Sequence, residues 1–304
     1  MERKGFDGAA ALLPPSLREN MYELLSGDRL RAEEIRLRLG RRPTVVLPEG
    51  EIAAGRTEVT GDDIAGVLDI ATGASVHTAH RSMAQGFVTA RGGYRVGICG
   101  TAVVHAGEVT GFRALSSASI RIPRQIYGVA EQVLGGLFEN GRFLSTLIIS
   151  PPGCGKTTLL RDIICRIASG SMSMRVSLAD ERSEVAAVFE GKAQLDVGEK
   201  TDIMDGCPKA QASMLLLRAM NPQVIAMDEI TSPEDIDAIV MAANCGVELL
   251  ATAHGSDQQD LYRRGLYRRL LETSVFRRAV VISLRGGSRA YKVFRQEAGK
   301  WSEL

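Results

Sequence analysis

The stretch Ser150-Pro151-Pro152-Gly153-Cys154-Gly155-Lys156-Thr157-Thr158 carries the most specific chemistry in the chain. An apolar run, Leu147-Ile148-Ile149, precedes it, and apolar residues at helical spacing (Leu160, Ile163, Ile164, Ile167) follow it. That is the strand–loop–helix setting of a phosphate-binding P-loop. Glycines in such a loop let successive backbone N–H groups turn toward one anion, and the positive end of the following helix adds to the attraction. On this reading Pro152, Gly153, Cys154, Gly155, Lys156, Thr157 and Thr158 form the nucleotide cradle. Lys156 reaches the β- and γ-phosphates, and the Thr157 hydroxyl sits on Mg²⁺. Ser150 stands where such loops usually have their first glycine, a departure the Pro-Pro-Gly turn accommodates. An ordinary Gly/Pro turn that holds a lysine is the plainer alternative.

A second stretch makes that alternative weaker. Val224-Ile225-Ala226-Met227-Asp228-Glu229 is four apolar residues running into two carboxylates. In a P-loop ATPase, Asp228 would orient Mg²⁺ and Glu229 would polarise the attacking water as general base. Between the two signatures in sequence, Leu178-Ala179-Asp180-Glu181-Arg182-Ser183-Glu184 is a strand ending in carboxylates, as in P-loop ATPases that carry a catalytic glutamate. Asp180 or Glu181 would hold water or Arg182 near the γ-phosphate; a solvated charged loop is the competing reading. Leu249-Leu250-Ala251-Thr252-Ala253-His254-Gly255 is a further apolar strand ending in polar groups, placing Thr252 or His254 beside the phosphates as a sensor.

Arginines offer less specific signals. Residues 261–289 hold Arg263, Arg264, Arg268, Arg269, Arg277, Arg278, Arg285 and Arg289 against one acid, Glu272, with Tyr262, Tyr267 and Phe276 interleaved. Phosphate contacts and base stacking would make this a nucleic-acid surface. A solvated helix face or a subunit interface suits the neutral total better. Arg113, Arg121 and Arg124 lie near the end of the first half, and a neighbouring subunit would offer one of them as an arginine finger.

The elements that must position these groups follow from periodicity. From about residue 143, strands at 147–149, 175–178, 224–227, 247–252 and 280–284 alternate with helices at 157–168, 208–220 and 233–244. Such alternation predicts a parallel sheet with helices on both faces. The helix at 233 starts well, with Ser232 as cap, Pro233 at the first position and Asp235 in the first turn. The first 125 residues read instead as a smaller α+β domain. A helix is expected at 16–26 from the capping-box spacing of Ser16 and Glu19, and another is capped by Thr60. A hairpin joins 35–39 to 44–47, and strands follow at 86–90, 94–100, 101–105, 111–115 and 120–122. A junction at 123–127 and a helix near 129–139 lead into the second domain, so the expected domains are 1–125 and 126–304.

The chain of 304 residues, 45% hydrophobic and 24% charged, has the composition of an ordinary globular protein. Its net charge of +1 gives no bulk attraction to nucleic acid or anionic lipid. Five scattered cysteines without a CxxC pair suit a reducing compartment rather than a disulfide framework or zinc site. With a charged N-terminus and no long apolar run, a cytoplasmic location is expected, with any membrane role exercised through partners.

Several segments together carry a resemblance. Asp180-Glu181-Arg182-Ser183-Glu184, Asp205-Gly206-Cys207-Pro208-Lys209, Asn221-Pro222, Asp228-Glu229 and Ala251-Thr252-Ala253-His254-Gly255 resemble the stage III sporulation protein AA family. So does Gly92-Gly93-Tyr94-Arg95-Val96-Gly97-Ile98-Cys99-Gly100. That family is similar to the type II and type IV secretion ATPases, which share a Walker A box, an Asp box, a Walker B box and a His box. Here these fall on residues 150–157, 180–184, 224–229 and 252–254. The secretion enzymes commonly read Gly-Glu at Walker B where this chain reads Asp228-Glu229.

The resemblance implies an α/β P-loop NTPase fold of the RecA-like type beside the smaller N-terminal domain. It implies an ATPase that uses ATP and Mg²⁺, with Glu229, Lys156, His254 and Glu181 at the reaction; Arg113 stands for the three arginines as the expected finger. Thr157 and Asp228 would hold the metal. It further implies a hexamer docked on membrane-embedded channel proteins between mother cell and forespore, supporting transport or assembly there. A nucleic-acid-dependent ATPase and an ATP-gated scaffold with little hydrolysis are the other readings.

Overall fold

The computed structural model describes residues 5–73, 83, 86–170, 173–285, 288–297 and 299–304. The chain divides into two compact units, residues 1–124 with 187–195, and residues 125–186 with 196–304.

In the first unit six strands form one antiparallel sheet. They are β1 (Glu34–Arg38), β2 (Thr44–Leu47), β3 (Gly50–Ala53), β4 (Phe87–Ala90), β5 (Tyr94–His105) and β6 (Glu108–Arg121), in the order β3-β2-β1-β6-β5-β4. Alternation sets the buried face: Ile35 and Leu37 of β1, Val96 of β5 and Ile120 of β6 are fully buried. Helices α1 (Phe6–Ala11), α2 (Pro15–Tyr22), α3 (Ser26–Arg31) and α4 (Gly61–Ala71) accompany the sheet, and Leu17, Met21, Ile64 and Val67 join its core. Thr60 caps α4 in a full capping box with Asp63. The box expected at Ser16 and Glu19 does not form. Pro14 is the cap of α2, its helix ends at Tyr22, and the Ser16 hydroxyl donates to Asp63 at 3.0 Å instead. Residues 187–195 belong to this unit, where Gln194 accepts from the Gly92 N–H at 2.7 Å.

The second unit opens with a short helix, α5 (Glu131–Leu134), and a two-stranded ribbon of β7 (Phe138–Glu139) and β8 (Arg142–Phe143). The helix expected across 129–139 is thus a single turn extended by a 3₁₀ turn over Gly135–Leu137. An eight-stranded sheet then forms from β9 (Thr146–Ser150), β10 (Val176–Asp180), β11 (Thr201–Asp205), β12 (Val224–Met227), β13 (Glu248–His254), β14 (Arg278–Arg285), β15 (Ser288–Glu297) and β16 (Lys300–Glu303). Its order is β11-β10-β12-β13-β9-β14-β15-β16, parallel through β14 and antiparallel beyond it.

Strands β9, β10 and β12 are buried along their whole length, as a sheet covered on both faces requires. The flanking helices are α6 (Lys156–Ile167), α7 (Lys209–Ala219), α8 (Pro233–Asn244), α9 (Gln258–Arg263) and α10 (Gly265–Glu272). Leu147, Ile149, Ile225 and Leu249 pack with Leu216 of α7 and Ile236 and Ile239 of α8. Ser232 and Asp235 form a capping box at α8, with Pro233 at its first position, as the sequence predicts. Strand β13 lies between the P-loop strand β9 and the Asp-Glu strand β12. Strand β10, which lies between those signatures in sequence, sits on the far side of β12.

Candidate functional site

Parallel strands deliver their carboxyl ends to one edge of the sheet, where open α/β sheets take ligands. Strands β9, β12 and β13 bring Lys156, Thr157, Asp228, Glu229 and His254 together there, around a cavity of about 380 Å³ that Pro152, Gly153, Gly155 and Thr158 also line. Ser150 remains the last residue of β9, paired opposite His254, and its carbonyl accepts from the Gly255 N–H. Gly155 has φ 97 and caps α6, a left-handed conformation that would strain other residues. Cys154 is buried.

Lys156 is 7% exposed. Its ammonium donates to the carbonyls of Ser150 at 3.0 Å and Pro151 at 3.2 Å, and lies 2.8 Å from His254 Nδ1. An ammonium only donates, so Nδ1 is the acceptor and the imidazole proton is assigned to Nε2. Nε2 lies 3.0 Å from Glu229 Oε1, so this contact is a hydrogen bond from a neutral imidazole. Burial pushes the Lys156 pKa down, while Asp228 and Glu229 pull it back up. A polyphosphate brought to this ammonium would offset the burial.

Asp228 receives three donors: the Thr157 hydroxyl at 2.9 Å, the Thr252 hydroxyl at 2.7 Å and the Glu229 N–H at 3.0 Å. Thr157 and Asp228 thus meet where a hydroxyl and a carboxylate would share a hydrated Mg²⁺. The residues fit that ion, which takes one or two protein oxygens with phosphates and water. Glu229 has φ 38, a left-handed backbone that is costly for a residue with a side chain. Strand β13 holds it there: the Thr252 hydroxyl accepts from the Glu229 N–H at 2.8 Å, and the Thr252 carbonyl from the Ile230 N–H. Of the two sensor candidates, Thr252 holds the Asp228 carboxylate and the Glu229 backbone, and His254 touches Lys156 and the Glu229 carboxylate.

The carboxylates at the end of β10 separate in role. Asp180 is 1% exposed and accepts from the backbone N–H groups of Glu184, Val185 and Ala186, so it folds its own loop rather than holding water or Arg182. Arg161 of α6 grips the same loop through the carbonyls of Val185 at 2.5 Å and Glu184 at 2.7 Å. Glu181 instead pairs with Lys209, buried at the start of α7, at 2.7 Å. Both line a second cavity, of about 290 Å³, with Asp228 and Glu229. Lys209, Arg161 and Arg289 take these places through partners 28, 24 and 135 residues away, a separation that no local motif marks.

Burial raises the Asp180 pKa to about 6, against the pull of the amides of Ala186 and Val185. The folded value lies above the ordinary 3.8, so this group's contribution to stability is present in full below about pH 4 and is lost as pH rises through 6. Asp180→Asn should flatten the fall in stability between pH 4 and 6, by an amount on the order of 3 kcal/mol. Denaturant melts across that range check it; an unchanged slope would remove Asp180 as its source.

The remaining candidates lie elsewhere. Arg113 belongs to the first unit, exposed on β6 opposite Thr101. Most arginines of the tail have partners within the second unit. Arg264 bonds the His254 carbonyl and Asp260, Arg268 the Tyr262 carbonyl, Arg269 Asp237 and Arg277 Glu248. Arg278 is buried against the Gly136 carbonyl and Glu139. The Arg285 side chain lies outside the described residues. These pairings break up the basic stripe on which a nucleic-acid surface would rest.

Comparisons with known proteins place the fold and the family. The chain is similar to the Legionella pneumophila ATPase DotB, with a TM-score of 0.61 over 93% of this chain and 81% of that one, at 16% identity. It is also similar to the pilus retraction motor PilT solved with bound ADP, with a TM-score of 0.60 over 90% and 80%, at 16% identity. At such identities the likeness establishes the fold, that of the P-loop secretion and pilus ATPases. Sequence likeness is closer to stage III sporulation protein AA of Bacillus subtilis (strain 168), 37% identical over 277 residues and covering 90% of both chains. The family model for sporulation stage III, protein AA, matches residues 9–300. A match of that extent takes in both units as well as the P-loop, and the chain belongs to the stage III sporulation protein AA family.

Proposed function

We propose that this chain is a Mg²⁺-dependent ATPase of the secretion-ATPase type, one that powers or assembles a transport channel between mother cell and forespore during sporulation. The observation that supports it most is the meeting of Lys156, Thr157, Asp228, Glu229 and His254 at one edge of a parallel sheet. Backbone N–H groups of the loop and the Lys156 ammonium bind the β- and γ-phosphates. Thr157 and Asp228 hold Mg²⁺, which neutralises charge on the phosphate oxygens. Glu229 takes the proton of the attacking water, and its carboxylate is aimed by His254 Nε2. As Lys156 turns from His254 to a phosphate, Nδ1 loses its donor, so the arrival of nucleotide is felt at the base through one imidazole. Glu181, steadied by Lys209, supplies a second carboxylate beside the water.

The active form is a ring of identical subunits, a hexamer, in which Arg113 of a neighbour completes the site. The ring sits in the cytoplasm and docks on membrane-embedded channel proteins. No helix among the described residues is long and apolar enough to cross a membrane.

ATPase rate per subunit, measured over a range of protein concentrations with Mg²⁺, tests the reading. Specific activity should climb with concentration as neighbours complete each site. A flat rate, with mass measurement showing monomers throughout, would overturn the shared site. No activity above that of Glu229→Gln would overturn hydrolysis by the chain alone.

A further inference from the structure

One arginine of the tail, Arg289, reaches the nucleotide cavity instead of joining the pairings above. Arg289 stands near the start of β15, opposite Leu284 of β14. The hairpin carries it to the P-loop, where its Nε donates to the Cys154 carbonyl at 2.9 Å. A Cβ built on Gly155 would lie 3.1 Å from that Nε, so glycine here serves the approach of the guanidinium as well as the left-handed turn. Arg289 lines the nucleotide cavity beside Lys156 and Thr157 and is exposed to it rather than packed away. Among the described residues, neither Nη1 nor Nη2 has a hydrogen-bond partner.

Charge gives this placement a meaning. The loop's own cation, Lys156, is turned inward to two carbonyls and an imidazole. Arg289 also lines the cavity, whose wall includes the carboxylates of Glu184, Asp228 and Glu229. A guanidinium held by Nε keeps two parallel donors free in a planar fork, a geometry that matches two oxygens of a phosphate chain. The Cys154 carbonyl fixes that fork before ligand arrives, which lowers the entropic cost of making the contact.

We propose that Arg289 is a nucleotide-binding residue that grips the α- and β-phosphates of a nucleoside di- or triphosphate through Nη1 and Nη2. This rests on the reading of the cavity as an ATP site and adds to it a second cation supplied by the same chain. Its partner in the ligand is the part that ATP and ADP share, so Arg289 sets how tightly the product is held as well as the substrate.

The test is titration of the full-length wild type, Arg289→Gln and Arg289→Lys with ATP and with ADP, beside melting curves without nucleotide. Arg289→Gln should bind both nucleotides roughly tenfold more weakly, equivalent to about 1.4 kcal/mol. Arg289→Lys should fall between it and the wild type, and both should melt with the wild type when empty. Affinities within twofold of wild type for both nucleotides would overturn the proposal. So would equal losses in the two variants together with a melting temperature several degrees lower, the mark of a loop buttress. A wild type that binds neither nucleotide would instead strike the ATP reading beneath it.

Discussion

Glu229→Gln should bind ATP as the wild type does and hydrolyse it more slowly by roughly a hundred- to ten-thousandfold, the usual span for loss of a positioned general base. Glutamine keeps the length of the side chain and an oxygen for His254 Nε2, which lies 3.0 Å from the present carboxylate. The backbone contacts that hold residue 229, from its N–H to Thr252 and Asp228, involve no side-chain atom of Glu229 and persist. What is removed is a group able to accept a proton from water. Single-turnover hydrolysis with a parallel binding titration separates the two effects. Normal turnover would show that another group takes the proton, and Glu181, lining the adjoining cavity, would be examined next.

Lys156→Ala should weaken ATP binding by roughly a hundredfold or more, because charge-assisted hydrogen bonds are worth about 1.5–3 kcal/mol each. The empty protein should be less affected. Burial already disfavours the ammonium, and the Ser150 carbonyl that it bonds keeps the Gly255 N–H as a second donor. The variant also leaves His254 Nδ1 without its donor, which frees the imidazole to turn. Calorimetric titration with ATP, beside a melting curve, reads both. Undiminished affinity would mean that the loop does not bind phosphate through this residue.

Much of the second unit was legible because its signals are local. Four apolar residues before Asp228, the apolar run before Ser150 and the capping box at Ser232 each describe one element without help from the rest. The first unit's long ribbon was harder. The four strands expected at 94–100, 101–105, 111–115 and 120–122 are two, β5 and β6, which run through Gly100 and Gly111. At Gly100 a Cβ would come within 2.9 Å of the Arg113 carbonyl and of Leu115 Cα, so the glycine permits a bulge between closely passing strands instead of ending one. Strand β11, half-buried at the sheet edge, lacks the apolar run that marks its neighbours and left no trace in periodicity. The candidate site shows the same division. Residues within the motifs could be listed from sequence, whereas the Lys209–Glu181 pair and the approach of Arg289 to Cys154 depend on segments 28 and 135 residues apart.

The backbone at Glu229 bears on how such a chain is kept by selection. Glycine would adopt φ 38 with no steric strain, so a population screened only for foldedness would drift toward it at this position. A carboxylate survives there only while something other than folding rewards it. The two threonine contacts from β13 then act as a tether that lets the chain carry an unfavourable residue without losing its shape. Loss of the chain's use and gain of its stability would, at this one position, be the same mutation.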